Sequence, residues 1–399
     1  MQRRQLLQRT AAAAFGLRFA TRLYAAPGSA ADNARFLLVF LRGGYDAASL
    51  LVPIGGSFYA ESRPNIAIGR PSDAVGSALP LSADWGLHPA LKDSIFPLAQ
   101  RGHAVFVPFA GTHDTTRSHF ETQDSVELGQ VLQGRRDYQS GFMNRLAATT
   151  GARESLSFTD QLPLAFRGTA QVGNLSLRSV AKGGIDPKMR TLLTGMYRKQ
   201  PLAAQVQEGF EVRDQVAREL VGEMEAANRD AISAKGFELE ARRVARLMRE
   251  KVALGFIDVG GWDTHVNQGA ATGYLATRFE ELGRGLAAFA NEMGDDAWRR
   301  TVVVVLSEFG RTLRENGNRG TDHGHGSVHW ILGGALAGPT VVGEQVPVQA
   351  ASLFQGRDYP VLNEYRAVLG GLFQRQFGLS AASLDRVLPG VAPRDLRIL

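Results

Sequence analysis

The sequence predicts an α/β protein with a mainly parallel central sheet flanked by helices and a helical insertion. Three observations carry this prediction. Five short runs are almost continuously apolar and close on or near glycine: 35–44 (RFLLVFLRGG), 103–111 (HAVFVPFAG), 252–261 (VALGFIDVGG), 301–310 (TVVVVLSEFG) and 328–334 (VHWILGG). Longer stretches with helical spacing of apolar residues lie between them. The composition, 44% hydrophobic and 21% charged, is that of a chain able to bury a core.

The elements follow in order. The chain begins MQRRQLLQRTAAAAFGLRFATRLYAAP, in which Arg3 and Arg4 precede a mildly apolar, alanine-rich stretch. That pattern predicts a twin-arginine (Tat) export signal over residues 1–26, and hence a periplasmic or extracellular protein that meets the Tat export machinery. No later stretch reaches the ~20 apolar residues needed to cross a bilayer. Residues 27–399 read as one elaborated domain. Its first strand, within 35–44, is apolar at every position from 36 to 41 rather than at alternate ones. That is the mark of a strand covered on both faces, as in parallel sheets. Residues 88–100 read as a helix before the second strand. The charged helical stretch near 204–250 reads as an insertion or cap, and residues 276–293 as a further helix before the run TVVVV.

Charge and cysteine content narrow the chemistry. Arg3, Arg4, Arg9, Arg18 and Arg22 supply five of the net +6 charges, and residues 1–31 hold no acid. About +1 remains for the rest, with no basic stripe, so no nucleic-acid partner is expected. There is no cysteine, so any metal must sit on histidine, carboxylate, amide or hydroxyl groups. Such donors suit zinc first, with calcium, manganese or magnesium also compatible.

In sheets of this kind, ligands bind outside the carboxyl ends of the strands. Asp46 follows the first strand and THDTTRSHFETQD the second. Asp258, Asp263 and His265 end another in FIDVGGWDTH, Glu308 ends the next, and His323 and His325 precede the last. GTDHGHG is the sharpest of these motifs, because its glycines permit close backbone approach and its two imidazoles suit a zinc-like ion. The segment TTRSHFE supplies Thr116, Arg117 and Ser118. A hydroxyl beside a divalent metal is a nucleophile, and an arginine can hold a tetrahedral oxyanion. The same segment also reads as a helix N-cap, with Ser118 and Glu121 as a capping box. His88 is expected to pack or cap locally, His329 to pack, and Trp262 and Trp330 to lie in the core.

The ordered set of the twin-arginine start, LRGGYDAASLLVP, HPAL, RSHFETQ, GGWDTH and SEFGRTLRENGNRGTDHGHG resembles an exported bacterial family, domain of unknown function 1501. That family is similar in turn to the alkaline phosphatase and sulfatase superfamily, an α/β fold with a two-metal site. The resemblance implies metal roles for Asp46, Asp258, Asp263, His265, Glu308 and His323, with His325 able to substitute for His323. It implies Ser118, or failing that Thr116, as nucleophile. Phe309 stands where the superfamily motif carries a histidine, which removes one ligand. The expected function is an exported hydrolase of phosphate or related oxyanion esters, using one or two divalent ions, with a small-molecule or glycan ester as substrate. Two other readings stand beside it. One is a non-catalytic periplasmic metal- or partner-binding protein that keeps the fold. The other is a metal-dependent amidohydrolase, which draws on the His-x-His pair but needs it after the first strand.

Overall fold

In a computed structural model, the protein is described at residues 33–151, 154–176, 196 and 236–399. The expected export signal and residues 204–235 of the expected insertion lie outside the described residues. From Arg35 to Leu399 the chain forms one compact unit.

The strands are β1 (Arg35–Leu41), β2 (Leu51–Pro53), β3 (Leu79–Pro80), β4 (Trp85–Leu87), β5 (Ala104–Gly111), β6 (Ser155–Ser157), β7 (Gly173–Asn174), β8 (Leu254–Val259), β9 (Thr301–Ser307), β10 (Ser327–Leu332) and β11 (Asn363–Glu364). Eight of them form one sheet in the order β11-β5-β10-β9-β1-β8-β6-β7, and β2, β4 and β3 form a small antiparallel sheet. All five strands expected from the apolar runs are present, each trimmed or shifted by one to three residues. The large sheet is parallel except for β10, which runs antiparallel to both β5 and β9.

The apolar runs have the cause the pattern suggested. Along β1, Leu37, Val39 and Leu41 enter the core on one face, and Phe36, Leu38 and Phe40 the core on the other. The first core is covered by the helices Phe237–Glu250 and Tyr274–Trp298 and contains Trp262 and Trp330; the second is covered by Phe142–Thr150 and Tyr365–Phe377. Truncating one such leucine to alanine costs about 2–5 kcal/mol.

Residues 237–250, read from sequence as the end of an insertion, form a helix of the flanking layer. Its Arg246 pairs with Glu292 of the next helix at 2.9 Å, and Phe237 packs where Gly285 has no side chain. No helix among the described residues is long and apolar enough to cross a membrane.

The reversed direction of β10 positions the site. Ser327 at its start pairs with Ala110 near the end of β5. Residues just before β10 therefore meet those just after β1, β5, β8 and β9 along one sheet edge.

Candidate metal centre

At that edge, among the described residues, His119, Asp263 and His323 form the group whose ligand atoms all lie within 4.8 Å of one another. His119 is the first residue of the helix His119–Leu128 after β5, Asp263 follows the Gly260–Gly261 turn after β8, and His323 lies in the loop between β9 and β10. His119 Nε2 and His323 Nε2 face each other at 3.0 Å. Asp263 Oδ1 is 3.3 Å from His323 Nε2, and its Oδ2 is 3.6 Å from His119 Nε2.

The outer ring nitrogens explain this convergence. His119 Nδ1 lies 2.8 Å from Glu308 Oε1, and His323 Nδ1 lies 3.1 Å from the carbonyl oxygen of Arg117. Each acceptor favours the tautomer with its proton on Nδ1, which leaves both Nε2 lone pairs aimed into one space beside a carboxylate. Lone pairs so arranged repel unless a proton or a metal ion lies between them, and oriented imidazoles of this type are characteristic of metal ligands. Metal–ligand bonds of about 2.0–2.1 Å at tetrahedral angles place neighbouring ligand atoms roughly 3.3–3.4 Å apart, in the range of the three separations here. The residues present fit a divalent ion.

The electrostatics agree. The hydrogen bond to Glu308 raises the pKa of His119 despite desolvation, so the surroundings favour positive charge there. Burial lowers that of His323, with Arg311 and His119 adding to the effect. Burial pushes the Asp263 carboxyl up, but the hydrogen bond and charge of Arg311, then His265 and His119, hold it below the usual range. Glu308 is likewise pushed up by burial, yet bonds from His119, Gln123 and Ser307 keep it low and ionised.

Several expected ligands do other work. Glu308 is fully buried; it accepts from His119, Gln123 Nε2 (2.8 Å), the Gly43 amide (2.9 Å) and the Ser307 hydroxyl (2.7 Å). It bonds the outer nitrogen of His119 and is not among the three residues of the candidate group. Asp46 is also buried, but both its oxygens are held by the Arg63 guanidinium, with Ser49 Oγ and Gln268 Nε2 as further donors. It is the anion of a buried ion pair and is not among the three residues of the candidate group. Asp258 pairs with Arg42 at 2.7 Å and lines a neighbouring cleft. His325, two residues from His323, turns away to stack on Phe354 at 4.7 Å, and burial depresses its pKa to about 4. His265 flanks the triad: its Nε2 lies 2.9 Å from Asp263 Oδ1 and 3.1 Å from His323 Nε2, and its Nδ1 3.3 Å from Asp322.

The expected catalytic segment also differs. The Arg117 side chain is bound to Asp358 at 2.6 Å and to Gln355, so its contribution to the centre is the backbone carbonyl under His323. Thr116 Oγ1 meets Thr122 Oγ1 at 3.3 Å. Ser118 is the N-cap residue before His119 but makes no side-chain capping hydrogen bond, so the expected capping box is absent. Phe309 packs its ring 4.9 Å from His119 and 5.0 Å from His323, as a wall behind the two ligands. The glycines of GTDHGHG serve backbone packing: a Cβ at Gly320 would lie 2.3 Å from the His265 backbone, and one at Gly324 2.4 Å from that of Arg311.

His119 and Gln123 were absent from the expected ligand set. Their signal is the i, i+4 spacing in SHFETQ, which puts both on the helix face toward Glu308. Other expectations hold: His88 Nδ1 accepts from the Ala90 amide as a local cap, His329 is buried in β10, and Trp262 and Trp330 are fully buried.

The family model described as Protein of unknown function (DUF1501) matches residues 33–388, and the chain belongs to that family. No curated protein matches the sequence. Among solved structures, the chain is similar to the lipoteichoic acid synthase LtaP from Listeria monocytogenes. The two are 10% identical with a TM-score of 0.40, over 92% of this chain and 76% of that one. A likeness that low carries no argument about activity.

Proposed function

We propose that this DUF1501 protein is an exported, metal-dependent hydrolase of phosphate or related oxyanion esters, with an alkaline phosphatase-like arrangement of its sheet and centre. The observation that carries the reading is the convergence of His119 Nε2, His323 Nε2 and Asp263 within 4.8 Å at the carboxyl edge of the sheet. Two imidazoles and one carboxylate suit zinc better than calcium or magnesium, and three protein ligands are the set typical of catalytic rather than structural zinc. A bound divalent ion supplies Lewis acidity, polarising an ester oxygen and acidifying a nearby hydroxyl.

The chain's own residues do the rest. Glu308 and the Arg117 carbonyl fix the two imidazoles, and Arg311 holds Asp263 ionised. Ser118, next to His119 at a helix N-terminus, is the hydroxyl best placed to act as nucleophile, since that terminus favours anions. Gln123 joins the centre to a cleft of about 690 Å³, a volume suited to the remainder of a small-molecule or glycan ester.

One observation favours the second reading, a metal-binding protein without turnover. Arg117, the expected oxyanion binder, and Arg311 beside the centre are both engaged by protein acceptors, Arg117 by Asp358 and Arg311 by Asp263 and backbone carbonyls.

The test is metal analysis of purified wild type, His119→Ala and His325→Ala, with a screen of phosphomonoesters, phosphodiesters and sulfate esters. Wild type and His325→Ala should carry bound metal and His119→Ala should lose it, with ester turnover following the metal. Metal without turnover selects the second reading, and equal metal in all three proteins removes the centre.

A further inference from the structure

The centre has a second cationic position beside the triad, and a side chain fills it. Arg311 follows β9 and its guanidinium is fully enclosed. Its Nε donates to the Gly44 carbonyl. Its Nη1 donates to the Thr321 carbonyl at 3.1 Å and lies 3.4 Å from His265 Nε2. Its Nη2 donates to the Gly43 carbonyl at 2.6 Å, lies 3.3 Å from that of Trp262, and donates to Asp263 Oδ1. Every N–H therefore points at a protein acceptor, and the backbone at Gly43 and Gly44 is shaped to receive it.

This arrangement divides the polar groups into two sets that share Asp263. His119 Nε2, His323 Nε2 and Asp263 form the first. The second would consist of Asp263 Oδ1 and His265 Nε2, and both already face the guanidinium. A second divalent ion there would have to displace a buried guanidinium from its carbonyls or sit in contact with its positive charge. Neither is favourable, because the desolvated cation would lose its acceptors and keep its charge.

We infer that the centre is built for a single divalent ion, with Arg311 as its fixed second cation and His265 as a partner of that second position rather than a ligand of the ion. This rests on the metal-centre reading above and adds the ion count and the assignment of Arg311 as a positioning residue. Arg311 cannot reach a substrate without giving up a protein acceptor. Its effect passes through Asp263, which it neutralises in part and holds at one orientation.

The experiment is titration of metal-depleted full-length protein with Mn²⁺, followed by elemental analysis and electron paramagnetic resonance. Wild type should saturate at one ion per chain with the spectrum of isolated Mn²⁺. Arg311→Lys should do the same, because a cation remains, whereas Arg311→Met should take up a second ion and show a coupled pair. His265→Ala covers the case in which Arg311→Met does not fold. It should keep one ion with affinity changed by less than about tenfold, the lower bound for losing an orienting partner. Two ions with a coupled spectrum in wild type would overturn the inference and leave the metal centre standing. So would a single ion in folded Arg311→Met, a second ion in Arg311→Lys, or a loss beyond about 100-fold in His265→Ala. No ion in wild type would instead overturn the centre itself, and this inference with it.

Discussion

Replacing Arg63 with methionine tests the assignment of Asp46 to a buried ion pair rather than to the proposed metal centre. Arg63 and Asp46 are both buried, and the pair is bidentate, with Nη2 to Oδ1 at 2.9 Å and Nη1 to Oδ2. Arg63 also donates to the carbonyls of Leu313 (2.6 Å) and Thr312 (3.1 Å), tying β1's exit to the loop after β9. Methionine leaves Asp46 with only Ser49 and Gln268 as donors in an enclosed site. Breaking one side of a buried pair costs about 3–5 kcal/mol, whereas replacing both partners by apolar groups is far less costly. Arg63→Met should therefore lose about 3–5 kcal/mol in urea unfolding at pH 7, and Asp46→Leu/Arg63→Met much less than the sum of the single changes.

The pH dependence has a definite sign. In wild type, burial opposes ionisation of Asp46, but Arg63 holds its pKa below the usual carboxylate range. That contribution is present above the unfolded pKa of about 3.9 and is lost as pH falls below it. In Arg63→Met burial is opposed only by Ser49 and Gln268, so the folded pKa should rise above the unfolded one and the penalty should shrink on acidification. Metal content should not change in folded Arg63→Met or Asp46→Asn. A loss under about 1 kcal/mol for Arg63→Met, in the range of an exposed pair, would refute the buried-pair assignment. Loss of metal from folded Asp46→Asn would restore Asp46 as a ligand.

Other perturbations give separate checks. His329 is buried with Nε2 unpartnered, and desolvation lowers its pKa to about 3. The unfolded state takes up the proton first, so this residue costs stability as pH falls from 6.5 toward 3. At pH 5 the cost is about 2 kcal/mol at 1.36 kcal/mol per pKa unit, and His329→Leu should flatten that part of a stability–pH curve. Gly320→Ala places a methyl 2.3 Å from the His265 backbone; it should lower stability by about 1–3 kcal/mol in thermal melting, and wild-type melting would remove the close-packing role. Converting Arg3 and Arg4 to lysine should leave precursor in the cytoplasm on cell fractionation, and unchanged export would remove the twin-arginine assignment.

What the sequence disclosed depended on the range of the forces involved. The five long strands were legible because burial on both faces leaves an apolar residue at every position, as in β1 and β9. Strands of two or three residues, such as β6, β7 and β11, carry too few positions for any period. The direction of β10 was hidden, since a doubly buried strand has the same composition either way. The strand-end carboxylates lie along the sheet edge that carries the candidate group, but their partners were not legible. Asp46 is answered by Arg63, which returns after the turns that follow β2, and Glu308 by His119 and Gln123 from another crossover. Asp263 and His323 fall in the candidate group, whereas His325, two residues on, packs against Phe354.

The reversed strand β10 also bears on when the centre can exist. Because β10 returns beside β9, one loop carries Glu308, Arg311 and His323, while Asp263 and His119 arrive from separate crossovers. His323 lies 60 residues from Asp263 and 204 from His119. Closing the longer span costs only about 1 kcal/mol more than the shorter by chain statistics, so equilibrium barely distinguishes them, but kinetics does. Long-range pairings form after local ones, and a chain leaving the ribosome cannot bring these three residues together until it has grown past position 323. If the centre holds an ion as proposed, its capture is a late event of maturation: a nascent chain offers only isolated ligands, and the three side chains converge once the sheet has closed.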